Sequence, residues 1–463
     1  MDEGMLSRAG ASRSPAGRAA ARGESRRIVA MRALMLALWG LGIVQIFVDS
    51  APLAWLMVAG LGVFVVMAVP GSALFNRAIA AVAALVIVVI GTLGGDWQPV
   101  REGLLFSLVF VAFLPTLQLV RRTLEASPEV AASRAVFAAM PERERRTGVM
   151  TGSHLLGSVL TLGVFAVMAP LAPPGADEAA RRRLALATVR GMGLAILWSP
   201  FSLGMAFALT VRPELPLWQA MAAGLVLAAS GMAVAVPMFD RGGGVRGLAR
   251  ALAGFRPLAL PLLGAMAVVV ALASATAFSN IQAVVLGMPV LCLLWLLGRE
   301  RRAIAPTLRA TYGGLNRLGD EFMLFVAAVT LGKVLAALPA FVGLFTAPAF
   351  LALPTPAILA AFMALAFVLP FLGLHPLVSA GLLFAILSAL GDRLADIVAV
   401  QIFLFGWATG TTLSIASMQM TVASSLFGVP LGRLLFRENA RFMAAFAVPA
   451  LLLLAGANWL LAG

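Results

Sequence analysis

The sequence predicts an all-α polytopic membrane protein of about 11 transmembrane helices in two inverted repeats, each with a re-entrant hairpin and a broken helix. Three observations predict it. Of 463 residues, 61% are hydrophobic and 12% charged, whereas a soluble globular chain carries about 25% charged residues. The apolar residues fall into runs near the roughly 20 residues that cross a bilayer. The net charge of +14 comes from arginines clustered between those runs, a pattern that marks span ends and excludes a nucleic-acid partner. The lone Cys292 allows no internal disulfide or thiolate cluster. Every one of the 34 basic residues except Lys333 is arginine, and with abundant Ala and Gly this fits a bacterial inner (plasma) membrane.

Residues 1–29 are small, polar and Arg-rich, so a disordered cytoplasmic tail is expected. The run over 30–50 is an extra first transmembrane helix, long enough to span and without a cleavage signal. Arg26, Arg27 and Arg32 place the N-terminus in the cytoplasm. The first repeat covers 51–238. Its stretch 148–170 has arginines on both sides, at 143–146 and at 181–183. A full crossing would put one cluster outside, so a hairpin entering from the cytoplasm and returning is expected. Such backbone survives at membrane depth only when buried in protein or lining a wet cavity. A broken helix follows over 184–210, then a span over 217–238, then a cytoplasmic linker over 239–256 with Arg241, Arg246, Arg250 and Arg256. The second repeat covers 257–461. The region 354–390 has no Lys or Arg before Arg393, which fits a hairpin over about 360–390 entering from outside, ahead of a second broken helix over 396–424. Five spans per half invert the second half relative to the first.

Three anchors tie the halves together. Glu102 pairs with Glu321 at an offset of 219. The only two histidines share the frame Gly-x-His-x-x-x-Ser at 221, in "GSHLLGS" and "GLHPLVS". Trp198 pairs with Trp407 at 209. At the hairpin tips, Ser153, His154 and Ser158 face His375 and Ser379; a protonated imidazole there replaces a coupling cation or donates to an anion, while a neutral one caps the hairpin backbone. In the broken helices, Ser199-Pro200-Phe201-Ser202 and Thr409-Gly410-Thr411-Thr412, followed by Ser414, resist a regular helix. Unwinding frees carbonyls for a cation and amides for an anion; a simple kink is the alternative. Lys333, placed mid-span, calls for a partner or a wet cavity, as a solute contact or a tethered substitute for a cation, unless it snorkels to the interface. Glu102 and Glu321, at span entrances, are expected to face water.

Eleven spans, a hairpin in each half and a broken helix after each hairpin resemble the ion transporter superfamily over residues from about 50 to 461. The nearest branches are the divalent-anion/sodium symporters and the arsenite-permease-like transporters. Those symporters carry Ser-Asn-Thr at each tip and a Thr-Pro-Pro-Asn-like stretch in each broken helix. Here Gly152-Ser153-His154 and Gly373-Leu374-His375 take the tip positions, and neither motif occurs. Sodium coupling and dicarboxylate specificity therefore do not carry over. The resemblance implies a scaffold, a mobile domain moving in an elevator-like step, and a homodimer.

The function expected is secondary active transport of a small, anionic solute, coupled to protons or working by exchange. No cofactor is expected beyond a coupling H+ or Na+, and the partners are the solute and the lipid bilayer. No phosphate-binding loop word and no His-x-x-x-His or cysteine pair occurs. The alternative is a membrane-embedded enzyme or assembly factor acting on a lipid-linked substrate, which needs a nucleophile–base pair or acidic metal ligands on facing helices.

Overall fold

The computed structural model describes residues 15–173, 175–239, 244–435 and 437–461, and among them there is no strand. Backbone in hydrocarbon must satisfy its own polar groups, and an apolar chain does so most simply as helix. The first helices are α1 (Pro15–Val48), α2 (Ala51–Ala68), α3 (Leu74–Gly94), α4 (Gln98–Ser107) and α5 (Val109–Glu125). They are followed by α6 (Pro128–Ala138), α7 (Glu142–Leu160), α8 (Gly163–Met168), α9 (Glu178–Ile196), α10 (Leu203–Val211) and α11 (Leu217–Phe239). After residues 240–243 come α12 (Gly244–Ala275), α13 (Asn280–Arg299), α14 (Ile304–Gly314), α15 (Gly319–Ala337), α16 (Pro339–Thr346) and α17 (Pro348–Leu351). The last are α18 (Thr355–Phe371), α19 (Pro376–Leu390), α20 (Asp396–Leu413), α21 (Met418–Phe427), α22 (Leu431–Leu434) and α23 (Arg437–Leu461). Ten helices among the described residues are long and apolar enough to cross a membrane, or up to 11 if the pair bent by 67° at Leu338 counts as one span.

Two boundaries differ from expectation. The tail read as disordered over 1–29 is helical from Pro15, where it runs into α1; residues 1–14 lie outside the described residues. Alanine and arginine are strong helix formers, and that outweighs the polarity of the segment. The linker read over 239–256 is helical from Gly244 for the same reason, since "GVRGLARALAG" is rich in Ala, Leu and Arg. Arg250 of α12 bonds the buried Glu144 of α7, tying that helix to the α6–α7 region.

The centre of the molecule is α20 with α21. Of their most apolar window 89% is buried, against 17% for α3 and for α12. Around α20 an aromatic cluster joins Phe106, Phe110, Phe207, Phe325, Phe384, Phe403 and Trp407. Elsewhere, helices approach until backbones touch. A Cβ on Gly191 of α9 would overlap the Met150 carbonyl of α7, and one on Gly381 of α19 would overlap the Ala328 carbonyl of α15. Small residues at such crossings are how membrane helices gain dispersion contact without a hydrophobic driving force between them. Gly191→Ala is therefore expected to lower stability by about 1–3 kcal/mol, the cost of overpacking, measured as a reduced thermal unfolding midpoint of the purified protein.

Candidate functional site

Two interruptions define the site. The first parts α9 from α10 at 197–202; the second parts α20 from α21 at 414–417. Both are wired alike. Ser199 Oγ donates to the Ser158 carbonyl and accepts from Phe201 N–H (3.1 Å); Ser414 Oγ donates to the Leu374 carbonyl (2.7 Å) and accepts from Ala416 N–H (3.1 Å). Ser202 Oγ reaches back to the Ile196 carbonyl (3.4 Å), and Ser417 Oγ to the Thr411 carbonyl (2.6 Å). Each of these serine pairs is separated by 215 residues. The breaks differ in one respect: Ser202 also caps α10 through Met205 N–H (3.0 Å).

The second break thus falls later than expected. Thr409, Gly410, Thr411 and Thr412 remain helical within α20. Thr409 Oγ1 donates to the Phe405 carbonyl and Thr411 Oγ1 to that of Ala408, so both hydroxyls are satisfied inside the helix. The break waits for Ser414, whose hydroxyl finds an acceptor on another segment. Trp198 and Trp407, 209 residues apart, do not share the 215-residue spacing of the serine pairs.

The tips also move. In the first half the turn lies at Thr161–Leu162, between α7 and α8, with Thr161 at φ +48°. His154 and Ser153 sit two turns earlier inside α7, where the Gly-x-His-x-x-x-Ser segment "GSHLLGS" is simply buried helix. His154 Nε2 accepts a hydrogen bond from the Trp198 indole N–H at 3.2 Å, which makes it a wedge between α7 and the first break. In the second half the turn is 372–375, and His375 lies at its end as the N-cap of α19. Its Nδ1 caps α19 by accepting from Leu377 N–H at 3.2 Å. Matching words therefore occupy unlike places, because helix α7 extends past its histidine to Leu160 whereas α18 stops at Phe371, ahead of His375.

Both breaks and both turns open onto one cavity of about 600 Å³. Of the residues expected at the site, Ser199, Ser202, His375 and Thr411 line it. Ser153, His154, Ser158, Ser379, Thr409, Gly410, Thr412 and Ser414 do not, although the Ser158 carbonyl and the Ser414 hydroxyl hold the breaks to the turns. Lys333 is elsewhere. It stands one turn before the end of α15, its Nζ 4.0 Å from the exposed Glu102 carboxylate and 5.6 and 5.8 Å from the Phe106 and Phe384 rings. A carboxylate and two aromatic faces near the helix end satisfy the amine, and no solute contact is needed.

The strongest charges in the cavity were not expected there. Arg121 of α5 lines it, with Nη2 donating to Thr161 Oγ1 at 2.7 Å and Nε without a partner. Asp320 and Glu321, at the start of α15, line the same space. Asp320 accepts from Asn76 Nδ2 at 3.0 Å, and Glu321 shares the cavity with Arg121. Glu321 thus faces the cavity, whereas Glu102 is exposed on the surface. At the ends of apolar runs, such charges look like orientation signals. One signal did point inward: Leu114, Leu117, Gln118 and Arg121 follow the i, i+3, i+4, i+7 stripe of one helix face, and all four line the cavity.

Oxygens dominate the break regions, and no group of three or more His, Cys, Asp or Glu residues is placed to hold a metal ion among the described residues. Ser199→Ala and Ser414→Ala each leave a buried N–H and carbonyl without a partner. Each is expected to lower stability by about 1–3 kcal/mol, read as a drop in thermal unfolding midpoint that Ser153→Ala, a hydroxyl without a bond, does not reproduce. No protein-family description matches this chain, and no curated protein sequence does.

Proposed function

We propose that the protein is a secondary active transporter of a small anionic solute, held by Arg121 between the two breaks and coupled to protons or to exchange. The observation that carries this reading is the single cavity into which both interrupted helices, both turns and an arginine converge. The first residues of α10 (Leu203, Gly204) and α21 (Met418, Gln419) line it. Helix N-termini present partial positive charge and unpaired amides, which suits an anion near the bilayer centre.

Glu321 supplies a coupling principle. When ionised it competes with the solute for Arg121; when protonated it leaves the guanidinium free. Proton uptake and anion binding then favour one another, as symport requires. The similar wiring of the serine pairs at an offset of 215 supports two repeats, and the arginine distribution supports a cytoplasmic N-terminus in a bacterial inner membrane. In this reading the turns and broken helices travel together against the remaining spans, an elevator-type step.

The test is flux. Purified protein in liposomes with a lumenal pH dye receives, one at a time, mono- and dicarboxylates and inorganic oxyanions under an inward proton gradient. A solute-dependent proton influx or solute exchange is expected for at least one class. No flux with any of them, under proton or sodium gradients, would remove the transport reading.

A further inference from the structure

A second, smaller cavity of about 240 Å³ lies apart from the first, where α7 and α9 meet the last turn of α11 and the first turn of α23. Among the described residues three arginines line it, Arg146, Arg183 and Arg190, against one carboxylate, Glu438. These residues come from three segments far apart in sequence, around 146, 183–190 and 438.

Arg190 is the deepest, 3% exposed. Its Nε donates to Asn439 Oδ1 at 3.0 Å, its Nη2 lies 3.3 Å from Glu438, and its guanidinium stacks 3.6 Å from the centre of the Phe239 ring. Glu438 is not free to neutralise the cavity, because Arg182 also holds it at 2.7 Å. Arg146 donates to the Phe239 carbonyl at 3.1 Å. Neither Arg146 nor Arg183 has a carboxylate within salt-bridge distance among the described residues. Among the described residues the lining therefore carries two more positive charges than negative. The buried Arg190 has its counter-charge in Glu438, whereas Arg146 and Arg183 are exposed at the cavity rim with no carboxylate partner among the described residues, and guanidinium forks match phosphate oxygens in geometry as well as sign.

The level of the cavity identifies the source of the phosphate. The apolar span Leu217–Phe239 ends here, and the span Leu431–Leu461 begins here. Apart from Thr147, the rest of the wall is apolar: Met150, Ala187, Ala235, Met238 and the Phe239 ring. A free ion has no use for that apolar wall. A glycerophospholipid does, since its headgroup meets arginines at the depth where its glycerol and upper acyl carbons meet methionine and alanine. We propose that this cavity binds the phosphodiester headgroup of an anionic phospholipid, and that Arg183 and the remaining N–H groups of Arg146 supply the donors.

Full-length protein purified in neutral detergent is titrated with phosphatidylglycerol, with phosphatidylcholine and with inorganic phosphate, following bound lipid by native mass spectrometry and the thermal unfolding midpoint. Phosphatidylglycerol is expected to bind and to raise the midpoint, whereas phosphatidylcholine and inorganic phosphate are not. The double variant Arg146→Gln/Arg183→Gln is expected to bind phosphatidylglycerol roughly 30-fold more weakly, the equivalent of about 1 kcal/mol for each arginine. Both side chains are exposed and lack salt bridges, so folding is retained; the single variant Arg183→Gln, expected to lose about 5-fold, reads the same contact if the double variant unfolds. Arg301→Gln/Arg302→Gln, away from the cavity, controls for net charge. Equal loss in that control, undiminished binding in the cavity variants, or a full effect from inorganic phosphate would each overturn the assignment.

Discussion

Arg121→Ala is expected to lower solute-driven proton influx in liposomes by roughly 30-fold or more, while Arg122→Ala next to it leaves the flux near wild type. The two arginines are adjacent in sequence but face different surroundings. Arg122 pairs with Glu125 at 2.7 Å, with 29% of its side chain exposed. Arg121 faces the cavity, bonded to the first turn through Thr161 and with one guanidinium nitrogen unpartnered. Removing one partner of a desolvated charge pair costs about 2–5 kcal/mol, and here the partner lost is the only arginine or lysine lining the cavity among the described residues. Initial rates for any transported carboxylate or oxyanion, normalised to protein in the vesicles, decide it. Equal rates in the two variants would mean that the helix ends alone bind the solute.

Glu321→Gln is expected to uncouple the protein. The amide keeps the shape but can neither ionise nor carry a proton, so it no longer competes for Arg121. In the wild type, uptake at a fixed solute gradient rises as the outside is acidified, because protonation withdraws a carboxylate from the guanidinium. In the variant that rise is lost, and downhill flux and exchange persist. Among the described residues the other charged or titratable groups lining the cavity are Asp320, His375 and Arg121 itself. Asp320 is engaged by Asn76, and His375 has one nitrogen committed to capping α19, so Asp320→Asn and His375→Gln are expected to keep the acid response. If the response disappears with His375→Gln and survives Glu321→Gln, the proton travels on the histidine. Uptake at a single pH, with and without a proton gradient, separates loss of coupling from loss of binding.

Much of the fold was legible because hydrocarbon imposes a length and a composition on every crossing. The spans, the first break at Ser199–Ser202 and the turn at His375 follow from apolar run length, a proline and a charge count. Hydrogen-bond partners distant in sequence were not legible. Nothing local tells that Thr409 and Thr411 bond back into their own helix while Ser414 bonds across to Leu374. That difference moved the second break and its register. The paired histidines misled for a related reason: a helix ends where its capping groups allow, and α7 runs on to Leu160 past a histidine that accepts from Trp198. Arg121 and Glu321 were hidden by position, since a charge at the end of an apolar run carries the same sequence signature whether it meets water or a cavity.

The serine clamps have a consequence for kinetics. Ser199 and Ser414 each fasten an interrupted helix to the neighbouring bend, so the floor of the cavity is stitched to its own walls. Under the proposed transport reading, cargo carried in such a vessel keeps the same grip at departure and arrival. Inside and outside half-saturation values are then expected to converge at zero voltage and equal pH, leaving the imposed gradients to choose between import and export.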